Sequence, residues 1–142
     1  MPMKTVDELV AYFESLTPEA VAKMSEFYTE DAYFRDPFNE VTGLAKIQRI
    51  FADMWGPLIE PRFVIKERVV QGDSVVLTWD FTFRIRKLKP EETRLIHGLS
   101  LLKLAPDGRV RWHRDYWDAA GELYEKLPVI GAVIRWLKHR MG

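Results

Sequence analysis

The sequence predicts an α+β domain in which N-terminal helices pack into a curved antiparallel sheet and further helices follow the sheet. Apolar residues recur with the helical period before Gly56 and with a period of two after it. The length of 142 residues and the hydrophobic fraction of 47% suit one domain with a sizeable core. We therefore expect residues 1–142 to form a single domain, with about residues 119–142 as a C-terminal helical extension.

Three helices are predicted before Gly56. Thr5 and Glu8 have the spacing of a capping box at the start of the first helix. Thr17-Pro18 begins the second helix, because proline is favoured in a first helical turn, and Gly43 opens the third. Their apolar faces consist of Leu9, Tyr12, Phe13 and Leu16, then Val21, Met24 and Tyr28, then Ile47, Ile50, Phe51 and Met54.

Four antiparallel strands are predicted after Gly56, joined by turns rich in glycine, proline and aspartate. The clearest of them alternates Leu77, Trp79, Phe81, Phe83 and Ile85 with polar residues, as a half-buried strand does. A twisted sheet of this kind curls, and helices on its concave face can leave a pocket. The four strands are predicted at Arg62–Val70, Leu77–Arg86, Thr93–Leu104 and Arg109–Trp117, and a short extended segment at Ala32–Arg35.

Composition and charge exclude several classes of function. The 21 basic and 21 acidic residues give a formal charge of zero, so no nucleic-acid partner is expected. The absence of cysteine excludes disulfides, thiolate catalysis and iron–sulfur ligation. Leu127–Ile134 is too short to span a membrane, and Asp7 and Glu8 stand where a signal peptide needs apolar residues. We therefore expect a cytoplasmic protein.

A predicted C-terminal helix, from Val129 to Met141, combines an apolar face with four basic residues near its end. Two interpretations remain open for it. It contacts a membrane surface, or it closes a pocket or forms a dimer arm, with its basic residues favoured by the helix dipole. His97, His113 and Asp115 have no spacing typical of a metal site, so neither a metal nor a cofactor is expected.

The order of these elements and several short motifs resemble the nuclear transport factor 2-like superfamily. That group includes ketosteroid isomerases, polyketide cyclases and limonene epoxide hydrolases. The ending is similar to the SnoaL-like branch, and the resemblance implies a cone-shaped fold around an apolar cavity, often in a homodimer packed through the sheet. It rests on the run from Phe27 to Pro37, Gly43, Gly98-Leu-Ser100, the run from Asp107 to Val110, and the run from His113 to Asp118.

The resemblance implies a general base at Asp36, the Asp-Pro position of the steroid isomerases. It also implies an oxyanion donor at Tyr12, which precedes Asp36 by 24 positions, as in those isomerases. The residue types alone are equally consistent with a turn aspartate and a core tyrosine whose hydroxyl bonds a neighbour. The additional carboxylic acid of the isomerases is missing, because the matching position is Ser100 or His97.

His113 and Asp115 lie two positions apart on a predicted strand, and therefore on the same face. In the family the matching face lines the cavity together with the position of Trp117, and the cyclases use an acidic residue in this region. The strand pattern also allows the opposite orientation, with Val110, Trp112 and Tyr116 buried and the pair in solvent. The remaining expected ligand-binding residues are Tyr28, Phe51, Trp55 and Ser100.

Three functions are compatible with these residues. The first is an isomerase or cyclase that moves a proton on a hydrophobic carbonyl compound, with Asp36 or Asp115 as base, His113 as its partner and Tyr12 as donor. The second is a non-catalytic binder of a hydrophobic small molecule. The third is a hydrolase of the epoxide hydrolase type, which needs paired acids bridged by an arginine, whereas Arg114 alternates away from Asp115.

Overall fold

A computed structural model describes residues 4–119 of the protein, and the predicted C-terminal helices lie outside these residues. The helices are α1 (Val6–Glu14), α2 (Pro18–Ala22) and α3 (Leu44–Ala52), with short 3-10 helices at Met24–Glu26 and Asp53–Trp55. The strands are β1 (Tyr28–Arg35), β2 (Glu40–Thr42), β3 (Leu58–Gln71), β4 (Ser74–Ile85), β5 (Arg94–Leu104) and β6 (Val110–Tyr116).

The helix starts follow the predicted capping chemistry. The Thr5 side chain accepts a hydrogen bond from the Glu8 backbone N–H, and Thr17 caps α2 in the same way. The second helix is shorter than predicted and ends at Ala22, so the prediction of Tyr28 on its apolar face is wrong. Tyr28 is the first residue of β1 and is fully buried. The helical spacing was misleading because a buried strand residue satisfies the same apolar pattern.

The sheet has six strands in the order β2-β1-β6-β5-β4-β3. The meander from β3 to β6 is antiparallel, as predicted, and Gly72 turns its first hairpin at φ 59°. The prediction of a purely antiparallel sheet is wrong, because β1 pairs with β6 in parallel. The extended segment predicted at Ala32–Arg35 is therefore part of a full strand of the sheet. A pair without a hairpin leaves no local turn signal in the sequence.

A β-bulge decides which face of β6 points inward. Val110 pairs with Leu104 and Trp112 with Lys103, so Arg111 is an extra residue on this strand. The extra residue shifts the alternation by one position, and Val110 and His113 are both buried. Tyr116 is 41% exposed on the outer face. The opposite orientation that the strand pattern allowed, with His113 in solvent, is thereby ruled out.

The helices pack against the inner face of the curved sheet and form two apolar clusters with it. The larger cluster joins α1, β1 and α3 to the middle of the sheet and includes Leu9, Phe13, Phe34 and Ile47. The smaller cluster lies towards the other end of β4 and consists of Phe38, Trp79, Phe83, Ile85 and Ile96. Residues of both clusters line one cavity, so the fold places its pocket between them.

Candidate functional site

The cavity has a volume of about 630 Å³, which is suitable for a small organic ligand. Most of its wall is aromatic or aliphatic. The carboxyl groups of Asp36 and Asp115 stand in this apolar wall. The main apolar lining residues are Phe34, Phe38, Phe51, Phe63, Trp79, Phe81, Phe83, Ile96 and Trp117, and the other polar ones are Asn39, Asp53, Arg86 and Lys87.

Asp36 follows the last residue of β1 and precedes Pro37, which favours an extended or turn conformation at this position. Its Oδ1 accepts hydrogen bonds from the backbone N–H groups of Phe38 at 2.8 Å and Asn39 at 2.6 Å. Burial raises the pKa of Asp36 from 3.8 to about 6, and the charge of Asp115 adds to this rise against the lowering effect of the hydrogen bonds. Asp36 therefore serves both the turn and the cavity.

Asp115 lies on β6, directly opposite Ser100 on β5. Its Oδ1 accepts a hydrogen bond from Ser100 Oγ at 2.5 Å, and His113 Nε2 lies 2.6 Å from the same oxygen. Among residues 4–119 no donor reaches Oδ2, and the side chain keeps 11% of its surface accessible. Because Asp115 lines the cavity, Oδ2 is the oxygen left for a ligand.

His113 is buried behind Asp115, with 2% of its surface exposed. Its Nδ1 lies 2.6 Å from the Tyr28 hydroxyl. The ring is packed against Phe34 at 4.8 Å between centroids, and more distantly against Phe13 and Phe51. Burial raises the pKa of Tyr28 well above its ordinary value, so the hydroxyl keeps its proton.

Trp79 belongs to the site but was not among the residues predicted from the sequence. Its indole Nε1 donates a hydrogen bond to Ser100 Oγ at 3.0 Å, and its ring lines the cavity. Gly98 makes this placement possible, because a Cβ there would lie 2.8 Å from two ring atoms of Trp79. The alternation of β4 had placed Trp79 on the inner face, so that pattern was the signal available. Asn39 was also missed, although its contact with Asp36 is local and lies within the Asp-Pro turn, three positions along the chain.

The remaining predicted residues divide into two groups. Phe51 and Trp117 line the cavity. Ser100 contacts Asp115 directly, and Tyr28 contacts it through His113.

Tyr12 is not brought to the cavity: its hydroxyl donates to the Ala20 carbonyl at 2.7 Å. The ring of Tyr12 stacks on Phe27, and burial raises its pKa to about 12. Trp55 packs against the larger core cluster and is not among the lining residues.

His97 lies on the outer face of β5, opposite Asp80 of β4, and its Nδ1 is 2.5 Å from Asp80 Oδ1. It therefore takes no part in the cavity. Within residues 4–119 no three histidine, aspartate or glutamate side chains are grouped closely enough to hold a metal ion. No helix in this part of the chain is both long and apolar enough to cross a membrane.

Solved structures share this fold at low sequence identity. A protein of Catenulispora acidiphila with a ketosteroid isomerase-like fold, crystallised with trimethylamine, has a TM-score of 0.70 and 16% identity over 87% of this chain and 92% of its own. A protein of Shewanella denitrificans, provisionally assigned as a SnoaL-like polyketide cyclase, has a TM-score of 0.66 and 21% identity over 87% of this chain and 100% of its own. An LEH-like epoxide hydrolase of M. tuberculosis has a TM-score of 0.68 and 17% identity over 92% of this chain and 90% of its own.

No curated protein matches the sequence. A family model, that of the SnoaL-like domain, matches residues 9–113, from within α1 to the middle of β6 at His113. This span is well over half of the chain, and it agrees with the ketosteroid isomerase-like fold of the solved structures. The chain belongs to the SnoaL-like domain family.

Proposed function

We propose that the protein is a cofactor-independent isomerase or cyclase that transfers a proton on a small, hydrophobic carbonyl compound. The observation that supports this proposal is the presence of the Asp36 and Asp115 carboxyl groups in one apolar cavity, each held in a different environment. Pairs of titratable groups whose surroundings differ in this way are suited to separate acid and base roles.

Asp115 is suited to the base. Its Oδ1 accepts from Ser100 and lies next to His113 Nε2, whereas no donor among residues 4–119 reaches Oδ2, and the residue lines the cavity. In the proposed step Oδ2 accepts a proton from the carbon next to the substrate carbonyl, and the electrons of the broken C–H bond move onto the carbonyl oxygen. The apolar wall excludes water and strengthens the electrostatic interactions on which this step depends.

Asp36 is suited to the acid. Its raised pKa of about 6 means that a fraction of the protein keeps this carboxyl protonated at mildly acidic pH. The protonated group donates to the developing enolate oxygen, where the negative charge appears. The additional carboxylic acid of the isomerases is absent here, because the matching position is Ser100 or His97; Ser100 donates to Asp115, and His97 lies on the outer face. Tyr12 takes no part in the proposal, since its hydroxyl is bonded to Ala20.

Deuterium exchange tests the proposal without knowledge of the final product. The protein is incubated in D₂O with a panel of steroid-like and terpenoid-like ketones, and NMR follows the loss of the protons next to the carbonyl. We expect exchange with at least one compound, and a loss of about 100-fold or more in Asp115→Asn. Asp80→Asn is the matched control, because Asp80 also bonds a histidine but on the outer face. Exchange that survives unchanged in Asp115→Asn would contradict the proposal.

A second candidate is a non-catalytic binder of a hydrophobic molecule. The large apolar share of the cavity wall favours it, and the related C. acidiphila protein was crystallised with a small molecule. Binding of a ketone without any exchange of its protons would support this candidate instead. A hydrolase is disfavoured, because Arg114 lies over the ring of Tyr116 on the outer face rather than between Asp36 and Asp115.

A further inference from the structure

The hydrogen bonds around Asp115 all run towards the same oxygen. On one side Trp79 Nε1 donates to Ser100 Oγ, and Ser100 donates to Asp115 Oδ1. On the other side His113 Nε2 is 2.6 Å from the same Oδ1, and the Tyr28 hydroxyl is 2.6 Å from His113 Nδ1. An indole N–H can only donate and a carboxylate can only accept, so the first branch, from Trp79 through Ser100 to Asp115, has one possible direction. The second branch runs from Tyr28 through His113 to Asp115.

The direction of the second branch follows from the positions of its protons. If the imidazole carries its proton on Nε2, that proton is donated to Asp115 and the Tyr28 hydroxyl donates to Nδ1. Every polar hydrogen of the branch then has an acceptor. If Nδ1 carried a proton, the hydroxyl hydrogen of Tyr28 would have no acceptor among residues 4–119. Leaving a buried donor unpaired costs about 1–3 kcal/mol.

We propose that Tyr28 fixes His113 in the neutral tautomer protonated on Nε2, and thereby acts as a positioning residue for Asp115. Its role in catalysis rests on the proposed function of Asp115 as base. Tyr28 is fully buried and does not line the cavity, so it acts only through the imidazole. In this arrangement His113 supplies a hydrogen bond and does not accept the substrate proton.

The surroundings of His113 support this assignment. Apart from Tyr28 and Asp115, its described neighbours are the rings of Phe13, Phe34 and Phe51. No further charged group within residues 4–119 contacts the ring, so these two partners alone select the tautomer. The backbone of His113 is held in the sheet on both sides, because it pairs with Phe34 of β1 and Leu102 of β5.

Imidazole ¹⁵N NMR of the whole chain at pH 7.5 tests the tautomer directly. We expect a proton on Nε2 of His113 and none on Nδ1 in the wild-type protein. In Tyr28→Phe we expect the Nδ1 resonance to move to that of a nitrogen without a donor. Tyr12→Phe is the matched control: it also removes a buried hydroxyl, but one that bonds Ala20, and it should leave both His113 resonances in place. A proton on Nδ1 in the wild-type protein would overturn the inference.

Kinetics separate positioning from simple packing. If the wild-type protein exchanges the protons of a ketone, Tyr28→Phe should lower kcat about 10–100-fold with little change in KM. Unchanged kcat with an altered ¹⁵N signal would overturn the positioning role. If the wild-type protein shows no exchange at all, the proposed function fails, whereas the tautomer is decided by the NMR measurement alone. The wild-type spectrum also decides it if Tyr28→Phe does not fold.

Discussion

Asp36 combines two requirements that oppose each other. Its backbone hydrogen bonds favour the carboxylate, whereas its place in an apolar wall near Asp115 favours the protonated acid. Burial is the larger effect, and the pKa is raised to about 6. A turn that needs only an acceptor oxygen would be equally well made by asparagine. The carboxyl group therefore lowers the stability of the folded protein at neutral pH, a cost that the proposed acid role of Asp36 accounts for.

Asp36→Asn removes the buried carboxyl group and keeps an acceptor oxygen for the turn. Because the folded protein holds this proton more tightly than the unfolded chain, its stability falls as the pH rises from 3.8 to about 6 and then levels off. Asparagine carries no such penalty. We expect Asp36→Asn to be more stable than the wild type at pH 8, on the order of 2–3 kcal/mol, and nearly equal to it at pH 3.5–4.

Urea unfolding at both pH values measures this difference. Asp107→Asn is a useful comparison, because Asp107 is half-buried and its pKa is lowered by hydrogen bonds from Arg109, so the sign of its pH dependence should be opposite. A destabilised Asp36→Asn at pH 8 would mean that the turn hydrogen bonds, and not burial, dominate at this position.

At the scale of single strands, the site depends on the close approach of β4 and β5 at Trp79 and Gly98. The missing side chain of Gly98 leaves room for the indole ring, which then reaches Ser100. Ser100 in turn orients Asp115 from the next strand. One glycine on β5 thus allows a chain of contacts across three strands.

Gly98→Ala should break this chain. The added methyl group would overlap the Trp79 ring, so we expect a loss of about 1–3 kcal/mol in the free energy of unfolding and a shift in tryptophan fluorescence. In a Trp79→Leu background the same substitution should cost much less, because the clashing ring atoms are gone. An equal cost in both backgrounds would show that the strain at position 98 comes from elsewhere.

The starts of the helices and the hairpins were predictable from the sequence because their signals are local. The Thr5 and Thr17 caps, the turn at Gly72 and the alternation of β4 each depend on residues close together in the chain. Pairing between β1 and β6 and the extra residue Arg111 were not predictable, since both depend on distant partners. These two features decide the inner face of β6.

The candidate site was predictable only in part. The family resemblance directed attention to Asp36, His113 and Asp115, and the fold brings all three to one region. The 24-residue spacing of Tyr12 and Asp36 was misleading, because sequence distance does not fix where a hydroxyl points within a core. Tyr28 had been placed on a helix, so its bond to His113 could not be inferred.

At the scale of the whole molecule, the outer face of the sheet offers a surface for a second copy of the chain. Leu95 is 37% exposed and Tyr116 is 41% exposed on neighbouring strands of this face. Exposed apolar side chains on a sheet face favour association. The homodimer expected from the family resemblance remains a proposal, and this face is where we place it.

Sedimentation equilibrium tests the homodimer. We expect the wild-type protein to have twice the chain mass of 16.7 kDa, and Leu95→Glu to shift it towards the monomer. Val70→Glu is the control, because Val70 is 51% exposed but lies at the far end of β3. A wild-type protein that is monomeric at high concentration would contradict the proposal.

We infer that Asp36 and Asp115 interact across one cavity. A ¹³C NMR titration of the Asp36 carboxyl tests this interaction most directly. The wild-type protein should show a midpoint at about pH 6. The midpoint should fall in Asp115→Asn, because the charge of Asp115 contributes to the raised pKa of Asp36. A midpoint close to 3.8 that Asp115→Asn leaves unchanged would contradict the account.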